Sequence, residues 1–323
     1  MCTTDITLWT YNTHLFGDLF GKLSGQACQD PERKHSIIQY FQAPSTGGTA
    51  LRLAAFQEVW DAGYAGDFAK DLKDHGGYPG HFINDYHQAA LLNRSGVALF
   101  GGPGASFHDE EYFDYITNCI SPPPPGWDKQ DLPTGKGYLK VRCEFTCAEN
   151  HTHSLGFFGT HMPTNYGRYS ESVQSCFQSL ADKVTEFRSP KHHPDAAVLV
   201  AGDFNAAANT SKYGDLIQPY LLSGAGLQDS AEGQEVGNTI DGRTNTLWQY
   251  FNQVKVQQGD YDEERIDFVF FGNSGDGTMT IRVKSIRVVL DSALTVPGPA
   301  SHPLLNDSDH YPLEVVLEVS VQH

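Results

Sequence analysis

The segment NDSDHYPLEVVLEV (residues 306–319) combines a β-strand pattern with two ionisable side chains at its start. Its second half alternates apolar and polar residues, which predicts a strand with one buried face. The apolar residues of this strand are Leu313, Val315, Val316, Leu317 and Val319. Asp309 and His310 lie just before it, after Ser308, where a turn would need only glycine or asparagine. We therefore interpret this carboxylate and this imidazole as groups with a chemical role.

Strand-like runs recur along the whole chain. Several, such as AAVLVAGD (196–203), are continuously apolar, as in sheets covered on both faces, whereas the last ones alternate without helices between them. The clearest helix pattern is SESVQSCFQSLADKVTEF (170–187), which has one apolar stripe. These patterns favour an α/β fold of the α+β type, with two packed mixed or antiparallel sheets and helices outside. The length of the chain fits one such domain over residues 1–323.

The charge of the chain restricts its partners. It carries 39 acidic and 22 basic residues, which gives a formal net charge of −17. That charge has the wrong sign for binding a long polyanion through counterion release. Duplex nucleic acid is therefore disfavoured as a partner.

Cysteine usage and the N-terminal sequence bear on the cellular compartment. Six cysteines are too few for a disulfide scaffold in a chain of this length, so we expect mostly free thiols. Cys143 and Cys147, four apart on one predicted strand, are expected to pack on the same face. MCTTDITLWTYN (1–12) has no signal-peptide pattern, and no apolar run reaches about 18 residues. These features predict a cytoplasmic protein without a transmembrane segment, or a secreted one if a signal peptide has been removed.

Polar side chains recur at the boundaries of the predicted strands. Those that follow an apolar run are Asn12, Glu58, His161, Asp203 and Asn205. Those that start a run are Asp267, Asp309 and His310. The end of one strand and the start of another lie at the same edge of a sheet only when the two strands run in opposite directions. A mixed or antiparallel sheet would therefore gather these groups at one edge.

Such a set of groups is typical of a hard-cation site with general acid/base groups beside it. Oxygen ligands from Glu58, Asp309 and Asn12, without a Cys/His cluster, favour Mg²⁺ or Mn²⁺ over zinc. A metal that keeps several waters suits the cleavage of a phosphate ester. His310 is the candidate base, because a histidine near its reference pKa of about 6.5 takes a proton at neutral pH. Asp267 is a candidate partner for its other ring nitrogen.

Each motif taken alone also has a structural interpretation. Asp203 in GDFN can cap the segment that follows, and an isolated histidine such as His161 is more often a packed polar residue. The pair Asp309 and His310 can be part of a turn that starts a strand. The functional interpretation depends on the motifs occurring together and in one order.

That order resembles a known family. TYN, FQE, GTH, GDFN, RIDF and SDH, at these separations, resemble the endonuclease/exonuclease/phosphatase superfamily with the DNase I-like fold, over roughly residues 5 to 321. The chain looks most similar to the neutral sphingomyelinase branch, on FQEVW, SGVALF, GKGYLKV and GNTIDG before ERIDFVFF. The resemblance implies a four-layer sandwich, in which two packed mixed or antiparallel β-sheets are flanked by helices.

The resemblance also implies a metal site. Glu58 would be the principal Mg²⁺ ligand, with Asn12 and Asp309 close to the metal or its waters. Mn²⁺ would serve in the same place.

The remaining motif residues would act on the substrate. Asp203 and Asn205 would orient the nucleophile and a phosphoryl oxygen, and His161 would stabilise the charge that develops on the phosphorus centre. His310 with Asp267 would activate the attacking water.

The implied activity is a phospholipase C-type, Mg²⁺-dependent phosphodiesterase that acts on sphingomyelin or a related phosphosphingolipid at a membrane surface. The proline-rich segment NCISPPPPGWDKQDLPT (118–134) departs from the sphingomyelinase pattern. Nucleic acid, a nucleotide or an inositol phosphate therefore remain alternative substrates. A third alternative is a fold recruited for binding, or for non-hydrolytic chemistry on an apolar small molecule.

Overall fold

The structure, a computed structural model, describes residues 1–16, 28–42, 51–60, 62–75, 77–83, 95–119, 136–147, 151–164, 170–290 and 292–322. Its strands in the first half of the chain are Cys2–Leu15 (β1), Leu51–Val59 (β2), Gly80–Ile83 (β3), Ala98–Gly101 (β4), Ala105–Asp114 (β5), Gly137–Thr146 (β6) and Thr152–His161 (β7). Those in the second half are Ala197–Asp203 (β8), Gln228–Asp229 (β9), Ile240–Asp241 (β10), Glu263–Glu264 (β11), Asp267–Gly272 (β12), Met279–Val288 (β13), Thr295–Pro297 (β14), Leu304–Asn306 (β15) and Leu313–Val321 (β16).

The helices lie between these strands. They are Asp30–Gln42 (α1), Ala62–Asp74 (α2), Tyr115–Cys119 (α3), Ser170–Phe187 (α4), Thr246–Phe251 (α5), Gln253–Gln258 (α6) and a π-helix at Tyr213–Gly224. Within the described ranges, none of them has both the length and the apolar character needed to cross a membrane.

Most strands belong to two six-stranded mixed sheets. The order of strands is β13-β16-β1-β2-β4-β3 in the first sheet and β5-β6-β7-β8-β12-β9 in the second. β1 is parallel to β2 and β7 is parallel to β8, while their other neighbours are antiparallel. The ends of β1 and β2 therefore lie beside the start of β16, and the ends of β7 and β8 lie beside the start of β12.

The sheets pack face to face around the main apolar core. The alternation predicted for β16 is present, since Leu313, Val315 and Leu317 are buried in that core while Glu314 and Glu318 are only partly buried. A second apolar cluster packs α4 and the π-helix on the outer face of the second sheet. A third packs α1 and α2 on the outer face of the first. This order of layers confirms the predicted four-layer sandwich.

The helix predicted over residues 170–187 is present with the same bounds. β5 was not predicted, and its sequence ASFHDEEYFD explains why. It is an edge strand of the second sheet, with exposed charged side chains and an irregular register between His108 and Glu111. Edge strands commonly carry charges, which break the alternation that identifies a strand.

The cysteines differ in part from the expectation. Cys28, Cys119, Cys143 and Cys176 are free, but Cys2 and Cys147 form a disulfide. Cys147 lies one residue beyond β6, so its interpretation as a packing residue on the same strand as Cys143 was wrong. Cys2 belongs to the first sheet and Cys147 follows a strand of the second, 145 residues later in the chain. Only the packing of the two sheets brings these thiols together.

Candidate active site

The candidate site lies at the edge where β1, β2, β7 and β8 end and where β12 and β16 begin. Antiparallel pairing places Asp267, at the start of β12, opposite Asp203 at the end of β8. Parallel pairing places His161, at the end of β7, on the other side of Asp203. Hydrogen bonds and close polar contacts connect all eight of the predicted site residues at this edge, Asp309 through His14.

Asn12 links the two sheets. Its Nδ2 donates to Glu58 Oε1 of the first sheet at 3.1 Å and to Asp203 Oδ2 of the second at 3.0 Å. Its Oδ1 accepts a hydrogen bond from the backbone N–H of His14 at 3.2 Å. The amide nitrogen of Asn12 thus faces both carboxylates, so this residue orients them instead of turning its oxygen toward them.

His161 and Asn205 surround Asp203. His161 Nε2 lies 3.5 Å from Asp203 Oδ2 and 3.7 Å from Glu58 Oε1. Asn205 has a φ of +50°, a left-handed conformation that asparagine tolerates better than most residues. Its backbone N–H donates to Asp203 Oδ1 at 2.8 Å, and its Nδ2 donates to the carbonyl oxygen of Met162 at 2.8 Å. The turn after β8 therefore fixes both side chains of the GDFN motif.

The glycine of GDFN is required by the close approach of β7. A Cβ built on Gly202 would lie 2.0 Å from the carbonyl oxygen of Thr160. We expect Gly202→Ala to push the two strands apart and to lower the free energy of unfolding by about 1–3 kcal/mol. Urea denaturation measures this effect. Gly214→Ala is the control, since nothing beyond its own helix lies closer than 3.9 Å, and equal stability of the two variants would contradict the prediction.

His310 and Asp267 form a buried pair. His310 Nδ1 lies 2.8 Å from Asp267 Oδ2, while its Nε2 points toward Asp203 Oδ2 at 4.0 Å. The hydroxyl of Ser308 accepts the backbone N–H of His310 at 3.1 Å. The hydroxyl of Thr239 accepts the backbone N–H of Asp267 at 3.2 Å. Neighbouring hydroxyl groups therefore hold the backbones of both partners.

The carboxylates around His310 change its pKa. Burial alone would lower the pKa of His310, but Asp267, Asp309 and Asp203 outweigh burial and raise it to about 10. Burial, together with Asp267, raises the pKa of Asp203 to about 7. The sequence alone predicted an ordinary histidine pKa, and this cluster of buried carboxylates is the reason for the difference. A divalent cation among the carboxylates would offset their charge and lower the pKa of His310.

Glu58 has the properties expected of a metal ligand. Its Oε2 is buried and has no hydrogen-bond partner among the described residues. Burial would raise the pKa of Glu58, but His14 and Lys136 outweigh it and keep the pKa well below its usual value. The residue therefore offers an ionised oxygen, and oxygen donors of this kind fit Mg²⁺ or Mn²⁺. Its backbone is also left-handed, with a φ of +59°.

His14 lies between Asp309 and Glu58, and it was not predicted as a site residue. His14 Nδ1 lies 3.3 Å from Asp309 Oδ1 and 3.5 Å from Glu58 Oε2. Burial would lower the pKa of His14, but the charges of Asp309 and Glu58 raise it above its usual value. The signal in the sequence was a histidine two positions after Asn12, in TYNTH.

A second set of donor atoms belongs to Asp203, Asp267 and His310, which lie within 4.8 Å of one another.

Lys136 is a second residue that was missed. Its Nζ lies 2.5 Å from His161 Nε2 and 5.5 Å from the ring centre of Trp60. Burial and the charge of Lys136 hold the pKa of His161 well below its usual value, so this imidazole is neutral. Lys136 belongs to the GKG motif, which contributed to the family resemblance without a role for its lysine.

The three tryptophans that the structure describes, Trp9, Trp60 and Trp248, are all buried. Trp127 and most of the proline-rich segment at 118–134 lie outside the described residues.

Comparisons with known proteins identify structural neighbours. No protein-family model matches the sequence, and no curated protein sequence matches it. A beta toxin variant from Staphylococcus aureus with bound magnesium ions superimposes with a TM-score of 0.67 at 17% identity, and the match covers 97% of this chain and 99% of that one. For sphingomyelinase C from Streptomyces griseocarneus the TM-score is 0.65 at 17% identity, over 98% and 99% of the two chains.

A mannosyl-6-phosphatase from Bacteroides thetaiotaomicron is also similar, with a TM-score of 0.60 at 17% identity over 97% of this chain and 99% of that one. Other neighbours are named as endonuclease/exonuclease/phosphatase family proteins. The predicted DNase I-like fold is therefore confirmed, and the chain has the fold of the endonuclease/exonuclease/phosphatase proteins and of the sphingomyelinases among them.

Proposed function

We propose that the protein is a divalent-metal-dependent phosphodiesterase whose single catalytic domain spans residues 1–323. The observation that carries this proposal is the pairing of His310 with Asp267, directed toward a group of carboxylates in which Glu58 Oε2 has no hydrogen-bond partner among the described residues. A base held by a carboxylate, beside an ionised oxygen donor, is the arrangement that metal-assisted hydrolysis requires.

Glu58 would hold the cation, with Asp309 beside it and Asn12 fixing the Glu58 carboxylate. The cation is Mg²⁺ in this proposal, or Mn²⁺, because the donors are mainly oxygen. When bound, it would neutralise negative charge on the phosphoryl oxygens. Magnesium ions are present in the beta toxin structure of the same fold, which supports this choice.

The protein's own groups would perform the proton transfer. His310 Nε2 accepts a proton from the attacking water, and the hydrogen bond from Nδ1 to Asp267 fixes the tautomer and stabilises the imidazolium. Asp203 Oδ2 lies 4.0 Å from Nε2, and Asp203 and Asn205 would orient the water and a phosphoryl oxygen. His310 must be unprotonated before it can act, so its raised pKa makes the reaction depend on neutralisation of the surrounding carboxylates.

His161 and Lys136 would bind the opposite side of the phosphoryl group. The ammonium group of Lys136 donates to Nε2 of the neutral His161 ring, 2.5 Å away, and supplies positive charge on this side. His161 would act by holding this ammonium group beside the phosphoryl group. Buried charges of this kind act strongly on a developing anion, because little water screens them.

The substrate class in this proposal is a phospholipid with a phosphodiester head group, sphingomyelin or a related phosphosphingolipid, presented at a membrane surface. The motifs shared with neutral sphingomyelinases and the similarity in fold to sphingomyelinase C support it. The net charge of −17 argues against duplex nucleic acid.

A phosphomonoesterase is the second candidate, since one structural neighbour is named a mannosyl-6-phosphatase. Nucleotides and inositol phosphates belong to the same test.

The predicted cytoplasmic location stays a prediction. The Cys2–Cys147 disulfide favours an oxidising compartment, where such bonds persist. Alkylation of the native protein in cell extracts, followed by mass spectrometry, would report whether these two thiols are bonded where the protein resides.

A substrate panel tests the proposed function. Initial rates are measured on sphingomyelin, ceramide phosphorylinositol, lysophospholipid, sugar phosphates, inositol phosphates, and single-stranded and duplex DNA, each with Mg²⁺ or with EDTA. We expect Mg²⁺-dependent release of a phosphorylated head group from a sphingolipid. Release of inorganic phosphate from a sugar phosphate alone would favour the phosphomonoesterase. No hydrolysis of any substrate would contradict the proposal and direct attention to binding of apolar small molecules.

A further inference from the structure

We propose that His14 is a nitrogen ligand of the cation held by Glu58 and Asp309. This inference rests on the proposed function, because it concerns the same metal. It adds a residue that neither the motif pattern nor the family resemblance assigned.

The position of the ring is the first observation. His14 Nδ1 lies between the two carboxylates, 3.3 Å from Asp309 Oδ1 and 3.5 Å from Glu58 Oε2. Neighbouring ligands of an octahedral ion with bonds of about 2.1 Å lie about 3 Å apart. The two observed separations are slightly longer than this value, so a small inward movement of the three side chains would close them around one ion.

The backbone at His14 is the second observation. The pairing of β1 with β2 is irregular between Asn12 and Leu15, and His14 has a φ of +49°. A left-handed histidine is uncommon and marks a position that the surrounding structure enforces. In a regular strand, Asn12 and His14 would lie on the same face, because they are two residues apart. The irregularity therefore coincides with the residue whose ring contacts Asp309.

Contacts around His14 hold the ring in place. The buried guanidinium of Arg33 donates from Nη2 to the carbonyl oxygen of His14 at 2.7 Å. The rings of Phe16 and Phe251 lie with their centroids 4.8 Å and 5.0 Å from the imidazole centroid. A ligand with a fixed backbone and a ring packed between aromatic groups loses little conformational entropy when a metal binds.

The same position allows an opposite role, in which His14 is a protonated side chain that neutralises the two carboxylates and competes with the metal. The two roles predict opposite effects on affinity. Loss of a ligand weakens metal binding, whereas loss of a competing cation strengthens it. A nitrogen ligand would also raise the affinity for Mn²⁺ relative to Mg²⁺, because nitrogen donors favour the transition metals over Mg²⁺.

The experiment uses Mn²⁺ as the probe, with the purified full chain and with His14→Gln. Isothermal titration gives the dissociation constants for Mn²⁺ and Mg²⁺. Pulsed EPR of the Mn²⁺ complex detects coupling to a directly bonded ¹⁴N nucleus. His161→Gln tests whether a neighbouring imidazole is the source of the coupling, and His35→Gln, on the exposed face of α1, controls for the loss of a histidine. Circular dichroism establishes that each variant is folded.

We expect ¹⁴N coupling in the wild type, in His161→Gln and in His35→Gln, and its loss in His14→Gln. The His14→Gln variant should bind Mn²⁺ about 10-fold more weakly or worse, with a smaller loss for Mg²⁺. Mn²⁺ binding without ¹⁴N coupling, or tighter binding by His14→Gln, would overturn the inference and leave the proposed function intact. Absence of Mn²⁺ binding by the folded wild type would overturn both.

Discussion

Replacing His310 with alanine should lower kcat by on the order of 10² to 10⁴-fold, because it removes the group that takes the proton from the attacking water. The pair with Asp267, 2.8 Å apart, leaves Nε2 of His310 directed at the carboxylate cluster, where a water beside the phosphoryl group would lie. Initial rates at saturating Mg²⁺ on the best substrate of the panel measure the effect.

Two further variants separate catalysis from folding. His310→Ala leaves Asp267 buried without its partner, so His310→Gln, which retains a hydrogen-bond donor, is measured beside it. His75→Ala, at an exposed position after α2, controls for loss of a histidine. If His310→Gln is folded and hydrolyses the substrate at the wild-type rate, His310 is not the base.

The pH dependence of kcat/KM reports on the same group. The surrounding carboxylates raise the pKa of His310, so the rate should fall as pH falls through that pKa, because only the unprotonated ring accepts a proton. Asp267→Asn removes the carboxylate that contributes most to the raised pKa of His310. It should therefore lower the maximal rate and also shift the acidic limb to lower pH, whereas an unshifted limb would mean that another group titrates.

Replacing Glu58 with glutamine should abolish activation by Mg²⁺ and lower kcat by on the order of 10²-fold or more. The change keeps the shape of the side chain but removes the ionised oxygen that has no hydrogen-bond partner within the described part of the chain. The rate as a function of Mg²⁺ concentration measures the loss.

Glu110→Gln is the matched control for Glu58→Gln, because Glu110 is exposed on β5. It should leave the half-saturating Mg²⁺ concentration unchanged. The same half-saturating concentration in Glu58→Gln as in the wild type would remove Glu58 from the metal site.

The sequence predicted the layers and the edge of the site because both follow from local patterns. Alternation in β16 and continuous burial in β8 identify the inner strands of the two sheets, and the polar residues at their ends, Asp203 and His310, then lie at one edge. The pairing of His310 with Asp267 was proposed from the polar residues at strand boundaries, and the two side chains are in contact.

Other features of the site depend on packing between the sheets and were not predicted. The pKa of His310 follows from carboxylates contributed by three separate segments, so no spacing in the sequence encodes it. The contact of His14 with Asp309 depends on an irregularity in β1 that the alternation of apolar residues does not reveal. Lys136 meets His161 because β6 and β7 pair, although 25 residues separate them. Long-range contacts of this kind require the folded structure.

The fold does not determine which substrate is bound. Sphingomyelinase C and a mannosyl-6-phosphatase are both neighbours at 17% identity, so the same layers accommodate different leaving groups. We expect specificity to depend on segments around the edge of the site. Most of the proline-rich segment at 118–134 lies outside the described residues. The substrate panel therefore has to precede mutagenesis aimed at specificity.

Hydrolysis of sphingomyelin in H₂¹⁸O tests whether water attacks the phosphorus in a metal-dependent reaction. The purified protein is incubated with Mg²⁺, and the products are analysed by mass spectrometry, with EDTA and with His310→Ala as comparisons. We expect phosphocholine that carries one ¹⁸O atom and unlabelled ceramide, with formation of both suppressed by EDTA and by the substitution. Label in the ceramide hydroxyl, or products that form equally well in EDTA, would contradict metal-assisted attack of water on phosphorus.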